Sequence, residues 1–169
     1  MASQPTSPPG TWKRVDQTPV NTSALGLVFS FPIRVYWEDT DAGGIVFYAN
    51  YLKFFERART EWLRSLGLEQ QQLKQTTGGM FVVAESNVRY VRPARLDDEL
   101  IVTATLKEIG QASMIIEQQA LLKAEQSSPK VALLCEGSVR IGWVNANTLR
   151  PARMPGCIIN SMTPRHVTA

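Results

Sequence analysis

The stretch RVYWEDTDAGGIVFYANYLKFFERARTEWLRSLGL, residues 34–68, decides the fold of this chain. Around its start, Phe31, Ile33, Val35 and Trp37 occupy every second position, and this alternation predicts a β-strand. After an Asp- and Gly-rich turn, apolar residues recur three and four positions apart, which is typical of one face of a helix. These apolar residues are Tyr48, Tyr51 or Leu52, Phe55, Ala58, Trp62, Leu63 and Leu66.

The turn DTDAGG at 39–44 places two carboxylates just before the predicted helix, whose start Asn50 can cap and whose end Gly67 can cap. The two glycines of the turn permit positive φ and the close approach of a ligand. The helix start offers unpaired N–H groups, and a carboxylate beside such donors can attack or deprotonate while they stabilise an oxyanion. Asp residues also commonly turn and cap a chain, and spacing alone leaves both interpretations open.

Two segments carry a family resemblance: EDTDAGGIVFYANYLKFFERARTEWL at 38–63 and NVRYVRPARLDDEL at 87–100. They resemble the hotdog-fold 4-hydroxybenzoyl-CoA thioesterase family, and within it the small bacterial acyl-CoA thioesterases associated with the Tol–Pal cell-envelope cluster. With the strands that follow, the resemblance covers roughly residues 31–145. It implies an α+β hotdog fold, in which a curved antiparallel sheet of about five strands wraps around one long helix. It also implies hydrolysis of acyl-CoA to free acid and CoA by a homo-oligomer, a dimer or a dimer of dimers, with the site at the subunit interface.

The same resemblance assigns roles within the site. The family's catalytic carboxylate, which directly precedes the small residue and glycine pair, matches Asp41; it would act as nucleophile or general base, while Asp39 shapes the turn. Backbone N–H groups between Phe47 and Asn50 are expected to stabilise the oxyanion. Tyr48 stands where the Tol–Pal branch often has His and is more similar to the aromatic-thioester members, which leaves the acyl group open. It either lines the acyl pocket or is buried in the core. The expected substrate-binding residues are Gly44, Tyr48, Asn50, Arg89 and Arg92.

Three arginines, Arg89, Arg92 and Arg95, cluster at the end of one predicted strand and are candidates for the phosphates of CoA. Arg89 and Arg92 would point to opposite faces of a regular strand, so only part of the cluster can serve one ligand. For any single arginine, solvated charge or pairing at an interface is the alternative interpretation. No cofactor is expected, because CoA is part of the substrate.

The rest of the chain divides into a flexible N-terminal tail at 1–28, a hotdog thioesterase domain at 29–146 and a C-terminal tail at 147–169. A Gln-rich segment at 69–77 is expected to add a short helical turn after the long helix. Four strand-like runs follow, at 80–92, 100–108, 112–123 and 130–144. Such a meander buries one face, and only the long helix can cover it.

Several other classes of site are excluded or disfavoured. The one histidine, His166, lies in the predicted C-terminal tail, so a Ser-His-Asp or Cys-His catalytic site lacks a base. Cys135 and Cys157 lack partners at zinc spacing, and no metal site is expected. The net charge of +3 suits an anionic ligand, and no basic run favours nucleic acid. Neither a membrane span nor a secretory signal is expected, which predicts a cytoplasmic location.

Three function classes remain after these exclusions. The leading class is an acyl-CoA thioesterase. The second is a hydrolase that acts on acyl groups carried by acyl carrier protein, or on an aromatic acyl-CoA. The third is a non-catalytic hotdog module that binds acyl-CoA or a protein partner. Thiol release from a panel of acyl-CoA thioesters separates the three classes.

Overall fold

The computed structural model describes residues 28–123 and 131–162, and it contains one antiparallel sheet of five strands in the order β1-β3-β4-β5-β2. The strands are β1 (Phe29–Arg34), β2 (Gly79–Tyr90), β3 (Glu99–Ile109), β4 (Ser113–Leu122) and β5 (Ala132–Asn145). The helices are α1 (Asn50–Ser65), α2 (Gln70–Thr77) and α3 (Gly156–Met162). Within the described ranges, no helix has the length and apolar character needed to cross a membrane.

Helix α1 lies on the sheet with one apolar face packed against β1, β3 and β4. Its buried apolar residues are Tyr51, Phe54, Phe55, Ala58, Trp62 and Leu63. The predicted helical face is confirmed from Tyr51 to Leu63, and Tyr51 takes the ambiguous position because Leu52 is 43% exposed. Tyr48, which was predicted to belong to this face, precedes the helix and is 62% exposed. Gly67 ends the helix as expected, with φ of +76°, and the N–H of Leu68 donates to the carbonyl of Leu63 at 2.9 Å.

The start of α1 differs from the prediction. Ala49 is the N-cap residue, with helical backbone angles and no side-chain cap, so the expectation that Asn50 caps the helix is wrong. Asn50 is instead the first helical residue, and its side-chain amide donates to the carbonyl of Asp39. Asn50, which was expected to cap the helix, therefore connects the helix to the turn that precedes it.

The four predicted strand runs are confirmed as β2 to β5, but the alternation at the start of β5 differs. Alternation that continues from Cys135 and Val139 would place Val131 on the buried face, but Val131 is 57% exposed, whereas Leu134 is 3% exposed. The N–H groups of Val91 and Arg92 both donate to the carbonyl of Leu134, and the register with β4 shifts after Ala120. This is a β-bulge, and one extra residue in a strand moves the following side chains to the other face.

The two edges of the sheet are unlike each other. β1 carries Pro32, which lacks a backbone donor and suits an edge strand. β2 runs for 12 residues without proline and pairs only with β5. Val83 and Tyr90 of β2 are 56% and 46% exposed. The edge at β2 therefore offers both backbone groups and apolar side chains to a partner.

The C-terminal segment is not the tail that the sequence predicted from residue 147. Met154, Ile158 and Met162 are 2%, 0% and 7% exposed and pack in one cluster with Trp62 and Trp143. Their four-residue spacing is helical, and prolines at 151 and 155 obscured it; the second proline directly precedes α3. Residues 1–27 and 163–169, on which the rest of the tail predictions fall, lie outside the described residues.

Candidate active site

The DTDAGG turn closes as a tight hairpin between β1 and α1. The N–H of Asp41 donates to the carbonyl of Ile45 at 2.9 Å, and the N–H of Gly44 donates back to the carbonyl of Asp41 at 3.0 Å. Thr40 and Val46 form an antiparallel bridge just outside this pair. Gly44 has φ of +72°, and a Cβ there would meet nothing within 4 Å. The expected glycine conformation is confirmed at this position, which leaves the backbone open to a ligand.

The carboxylate of Asp41 is exposed and is held by one oxygen only. Its Oδ1 accepts the N–H of Gly43 at 2.8 Å, while Oδ2 has no hydrogen-bond partner in the described part of the chain. A Cβ at residue 43 would come to 3.1 Å from Oδ1, so the glycine lets this contact form without crowding. The arrangement fixes the carboxylate and leaves one oxygen free to attack a carbonyl or to take a proton from water.

The segment that leads into α1 carries the predicted oxyanion donors. The N–H of Phe47 donates to the carbonyl of Asp39, and the N–H of Asn50 donates to the carbonyl of Phe47. The N–H groups of Tyr48 and Ala49 have no acceptor among the residues that the structure describes. The structure therefore narrows the expected group of donors to two, at the positive end of the α1 dipole.

Asp39 is a structural carboxylate, as the sequence comparison of the two Asp residues suggested. It is 2% exposed, and its Oδ2 accepts the N–H of Tyr36 at 2.9 Å. Its backbone carbonyl accepts both the N–H of Phe47 and the side-chain amide of Asn50, each at 2.9 Å. Asn50 is 6% exposed and was predicted to bind substrate; one N–H of its side-chain amide is already committed to this contact.

Tyr48 lies at the surface beside two other aromatic rings. It is 62% exposed, so the alternative that it is buried in the core is wrong. Its ring centroid lies 4.6 Å from that of Phe47 and 6.1 Å from that of Tyr90. Tyr90 also packs edge-on against Tyr51 at 5.8 Å. Sequence reasoning missed Tyr90, although its place at the end of a strand next to Arg89 was visible.

A second feature that the sequence did not predict is the pair of contacts that Ala94 makes with Tyr51 of α1 and with Val46, which follows the DTDAGG turn. Ala94 is fully buried, its N–H donates to the hydroxyl of Tyr51 at 2.8 Å, and its carbonyl accepts the N–H of Val46 at 2.9 Å. Ile45 forms a bridge with Arg95 beside it. The DTDAGG turn is thus linked to α1 through the segment 93–95. An alanine between Pro93 and Arg95 gives no indication in the sequence that it makes these contacts.

Among the described residues, no hydrogen bond or ion pair joins the side chain of a predicted arginine to Asp41, although the backbone of Arg95 bridges Ile45 in the same turn. Arg89 donates through Nε and Nη2 to Glu136, at 2.8 and 2.6 Å, and lines a cavity of about 490 Å³ whose lining does not include Asp41, Tyr48 or Asn50. The side chain of Arg92 has no hydrogen-bond or ion-pair partner among the described residues. Arg92 is the more available of the two for a phosphate.

The surroundings of Cys135 make it unsuitable as a nucleophile. Burial, with a smaller contribution from Glu136, raises the pKa of the Cys135 thiol to about 12, so it is protonated at neutral pH and cannot act as a thiolate. Across residues 28–123 and 131–162, no three His, Cys, Asp or Glu side chains converge in a way that could hold a metal ion. Asp41 remains the group best placed for chemistry.

Known proteins resemble the chain over most of its length. A family model described as the thioesterase-like superfamily matches residues 35–161. The acyl-CoA thioesterase YbgC of Haemophilus influenzae is 40% identical over 127 residues, which cover 75% of this chain and 88% of that protein.

Solved structures agree with this result. The crystal structure of a probable thioesterase from Bartonella henselae superposes with a TM-score of 0.67 at 32% identity, over 76% of this chain and 99% of that chain. A 4-hydroxybenzoyl CoA thioesterase complexed with 4-hydroxybenzoyl CoA superposes with a TM-score of 0.74 at 20% identity, over 80% of this chain and 99% of that one. At that identity the second likeness speaks to the fold alone, and it identifies the five-stranded sheet and its helix as a hotdog fold.

Proposed function

The chain belongs to the thioesterase-like superfamily and is an acyl-CoA thioesterase, and from this premise we propose that Asp41 is its catalytic residue and that the N–H groups of Tyr48 and Ala49 stabilise the oxyanion. One observation carries the proposal. Asp41 has one carboxylate oxygen fixed by Gly43, its other oxygen has no partner among the described residues, and the turn precedes two N–H groups that have no acceptor there.

The reaction needs little beyond these groups. Thiols are much stronger acids than alcohols, with a pKa of about 8.5 for the cysteine side chain, so the thiol of CoA can leave as a thiolate with little help from an acid. In the nucleophilic route, Oδ2 of Asp41 attacks the thioester carbon, the C–S bond breaks, and water then hydrolyses the mixed anhydride and restores the carboxylate. In the general-base route, Asp41 takes a proton from the water that attacks. The N–H donors serve the tetrahedral oxyanion in both routes.

The test is turnover by Asp41→Asn, which keeps the size of the side chain and removes its charge. We expect kcat to fall by about 10²–10⁴, the range for a lost general base. Acyl-CoA binding should persist, because the substituted group does not hold the phosphates. Asp39→Asn is the matched control: it should lower stability more and activity less. A well-folded Asp41→Asn protein with near-normal kcat would remove Asp41 from the mechanism.

The assay should follow the thiol released from a panel of thioesters, with aliphatic acyl-CoA, aromatic acyl-CoA and acyl groups on acyl carrier protein. The aromatic member is included because Tyr48 and Tyr90 present exposed rings near the start of α1. Cys157 is exposed and would itself react with a thiol reagent, so a Cys157→Ser background is needed. Mass spectrometry of quenched enzyme distinguishes the two routes, because only the nucleophilic route adds the mass of the acyl group to Asp41.

We also propose that the enzyme assembles through the edge of β2 into a dimer, or a dimer of such dimers. The edge is long, lacks proline, and exposes Val83 and Tyr90. Light scattering at micromolar concentration should give at least twice the chain mass; a monomeric mass would contradict the proposal. A cytoplasmic location and a role beside the Tol–Pal cluster stay predictions from the family resemblance, as does the absence of a cofactor other than the CoA of the substrate.

Arg92 is the arginine that we propose for a CoA phosphate. Its side chain has no partner in the described ranges, whereas the guanidinium of Arg89 is already paired with Glu136. A phosphate at Arg89 would have to displace that carboxylate, which weakens its case as a binding residue.

A further inference from the structure

The side chain of Asn50 connects the start of α1 to the backbone of the turn that carries Asp41. It is 6% exposed, and its Nδ2 donates to the carbonyl of Asp39 at 2.9 Å. The same carbonyl accepts the N–H of Phe47 at 2.9 Å. Both lone pairs of one buried backbone oxygen are therefore used, one by the backbone and one by the side chain of the first residue of α1.

The carbonyl oxygen of Asp39 lies at the junction where the two ends of the turn meet near the start of α1. Asp39 is two residues before Asp41, and Phe47 directly precedes Tyr48. The segment between them is a seven-residue hairpin whose bridge joins Thr40 to Val46. The carboxylate and the oxyanion donors thus sit on opposite arms of the hairpin, and the carbonyl of Asp39 fastens the two arms where they meet α1.

The upstream side of the junction is fixed as well. The carboxylate of Asp39 accepts the N–H of Tyr36, which closes the turn that follows β1. Asp39 is therefore held upstream by its side chain and downstream by its carbonyl. Of these contacts, the amide of Asn50 is the one that a single substitution removes without altering the backbone or the charge of the turn.

We propose that Asn50 is a positioning residue: through the carbonyl of Asp39 it sets the distance between the Asp41 carboxylate and the N–H groups of Tyr48 and Ala49, and it does not touch the substrate. The inference rests on the proposed function. Small displacements of reacting groups reduce turnover strongly, with an error of about 1 Å worth up to ~10²-fold. Ground-state binding of acyl-CoA does not depend on that alignment and should be preserved.

The test is steady-state kinetics of Asn50→Ala and Asn50→Asp. Both remove the donor to Asp39, and Asp places a carboxylate against the carbonyl in addition. We expect kcat to fall by about 10- to 100-fold in Asn50→Ala and further in Asn50→Asp, with KM within twofold of the original value, because alignment rather than binding is lost. Ala58→Gly is the control, since it weakens the same helix without touching Asp39.

Each result decides the matter. A KM that rises while kcat is unchanged would mean that Asn50 binds substrate, and it would overturn the inference. A kcat loss that matches Ala58→Gly and disappears when both proteins are assayed well below their melting temperatures would assign Asn50 a purely structural role, which also overturns it. If Asp41→Asn is inactive and Asn50→Ala keeps full kcat, only this inference fails. If Asp41→Asn is active, the proposed catalytic role itself fails.

Discussion

Replacing Tyr51 by Phe removes the one oxygen atom through which α1 holds Ala94 beside the DTDAGG turn. The hydroxyl of Tyr51 accepts the N–H of Ala94 at 2.8 Å, and Ala94 is fully buried, so water cannot take over as acceptor. A buried donor left without a partner costs about 1–3 kcal/mol of unfolding free energy. The phenyl ring stays in place against Phe54, whose centroid lies 5.8 Å away, so no cavity adds to that loss.

The matched control is Tyr48→Phe. The hydroxyl of Tyr48 has no hydrogen-bond partner among the described residues, and the side chain is 62% exposed. Its removal should change the unfolding free energy by less than about 0.5 kcal/mol, which is usual for a surface position. The two substitutions are chemically identical, so their difference isolates the contact with Ala94.

Urea unfolding at one fixed protein concentration is the assay, because dissociation of an oligomer makes the midpoint depend on concentration. With an m-value near 2 kcal/mol/M, a loss of about 2 kcal/mol lowers the midpoint by about 1 M while m stays constant. Equal midpoints for Tyr51→Phe and the original protein would refute the reasoning, since Ala94 would then have found another acceptor or would not need one.

Three further predictions concern the C-terminal helix, the arginines and the buried thiol. Ile158→Ala should lower the unfolding free energy by about 2–4 kcal/mol, because Ile158 is a fully buried residue of α3, and an unchanged urea midpoint would show that α3 is not part of the core. Arg92→Gln should raise KM for acyl-CoA several-fold but leave KM unchanged for a thioester truncated to pantetheine, whereas Arg89→Gln should have little effect on either; the reverse pattern would move the phosphate to Arg89. Burial raises the pKa of Cys135 to about 12 from an ordinary value of 9.0, so the unfolded chain loses this proton first and the stability present below pH 9 should decline as pH rises towards 12. Cys135→Ala should flatten that decline in urea titrations at pH 8 to 11, and an unchanged slope would assign the decline to other groups.

Much of the fold could be predicted from the sequence because the residue patterns that specify it are local. The alternation of apolar residues in β3 and their three- and four-residue spacing in α1 are both observed in the structure, because each pattern places its apolar residues on the face that is buried. The bulge at Leu134 is different: it depends on the two residues just after β2, Val91 and Arg92, whose N–H groups share its carbonyl, and that pairing is set by the tertiary structure. The helix after Pro155 was missed because three buried residues spread over nine positions give a weak period next to two prolines.

The site shows the same division. The motif resemblance predicts the catalytic role for Asp41 and not for Asp39, and the structure adds a physical difference between them: the carboxylate of Asp41 is exposed, whereas Asp39 is 2% exposed. For Asn50 the sequence predicted the wrong role. An Asn before a helical period is a common cap, and only the three-dimensional position of the carbonyl of Asp39 reveals that its amide has another use.

The late pairing of β2 has a consequence for how the chain is made. β2 ends at Tyr90, but its sole neighbour within the sheet, β5, ends at Asn145, about 55 residues later. At synthesis rates of about 5–20 residues per second, the ribosome needs roughly 3 to 11 s to supply that neighbour. During this interval β1, α1, β3 and β4 can already associate, while β2 waits as an extended apolar segment with neither edge paired. Nascent chains paused between these two strands are therefore the species for which a chaperone should compete most strongly.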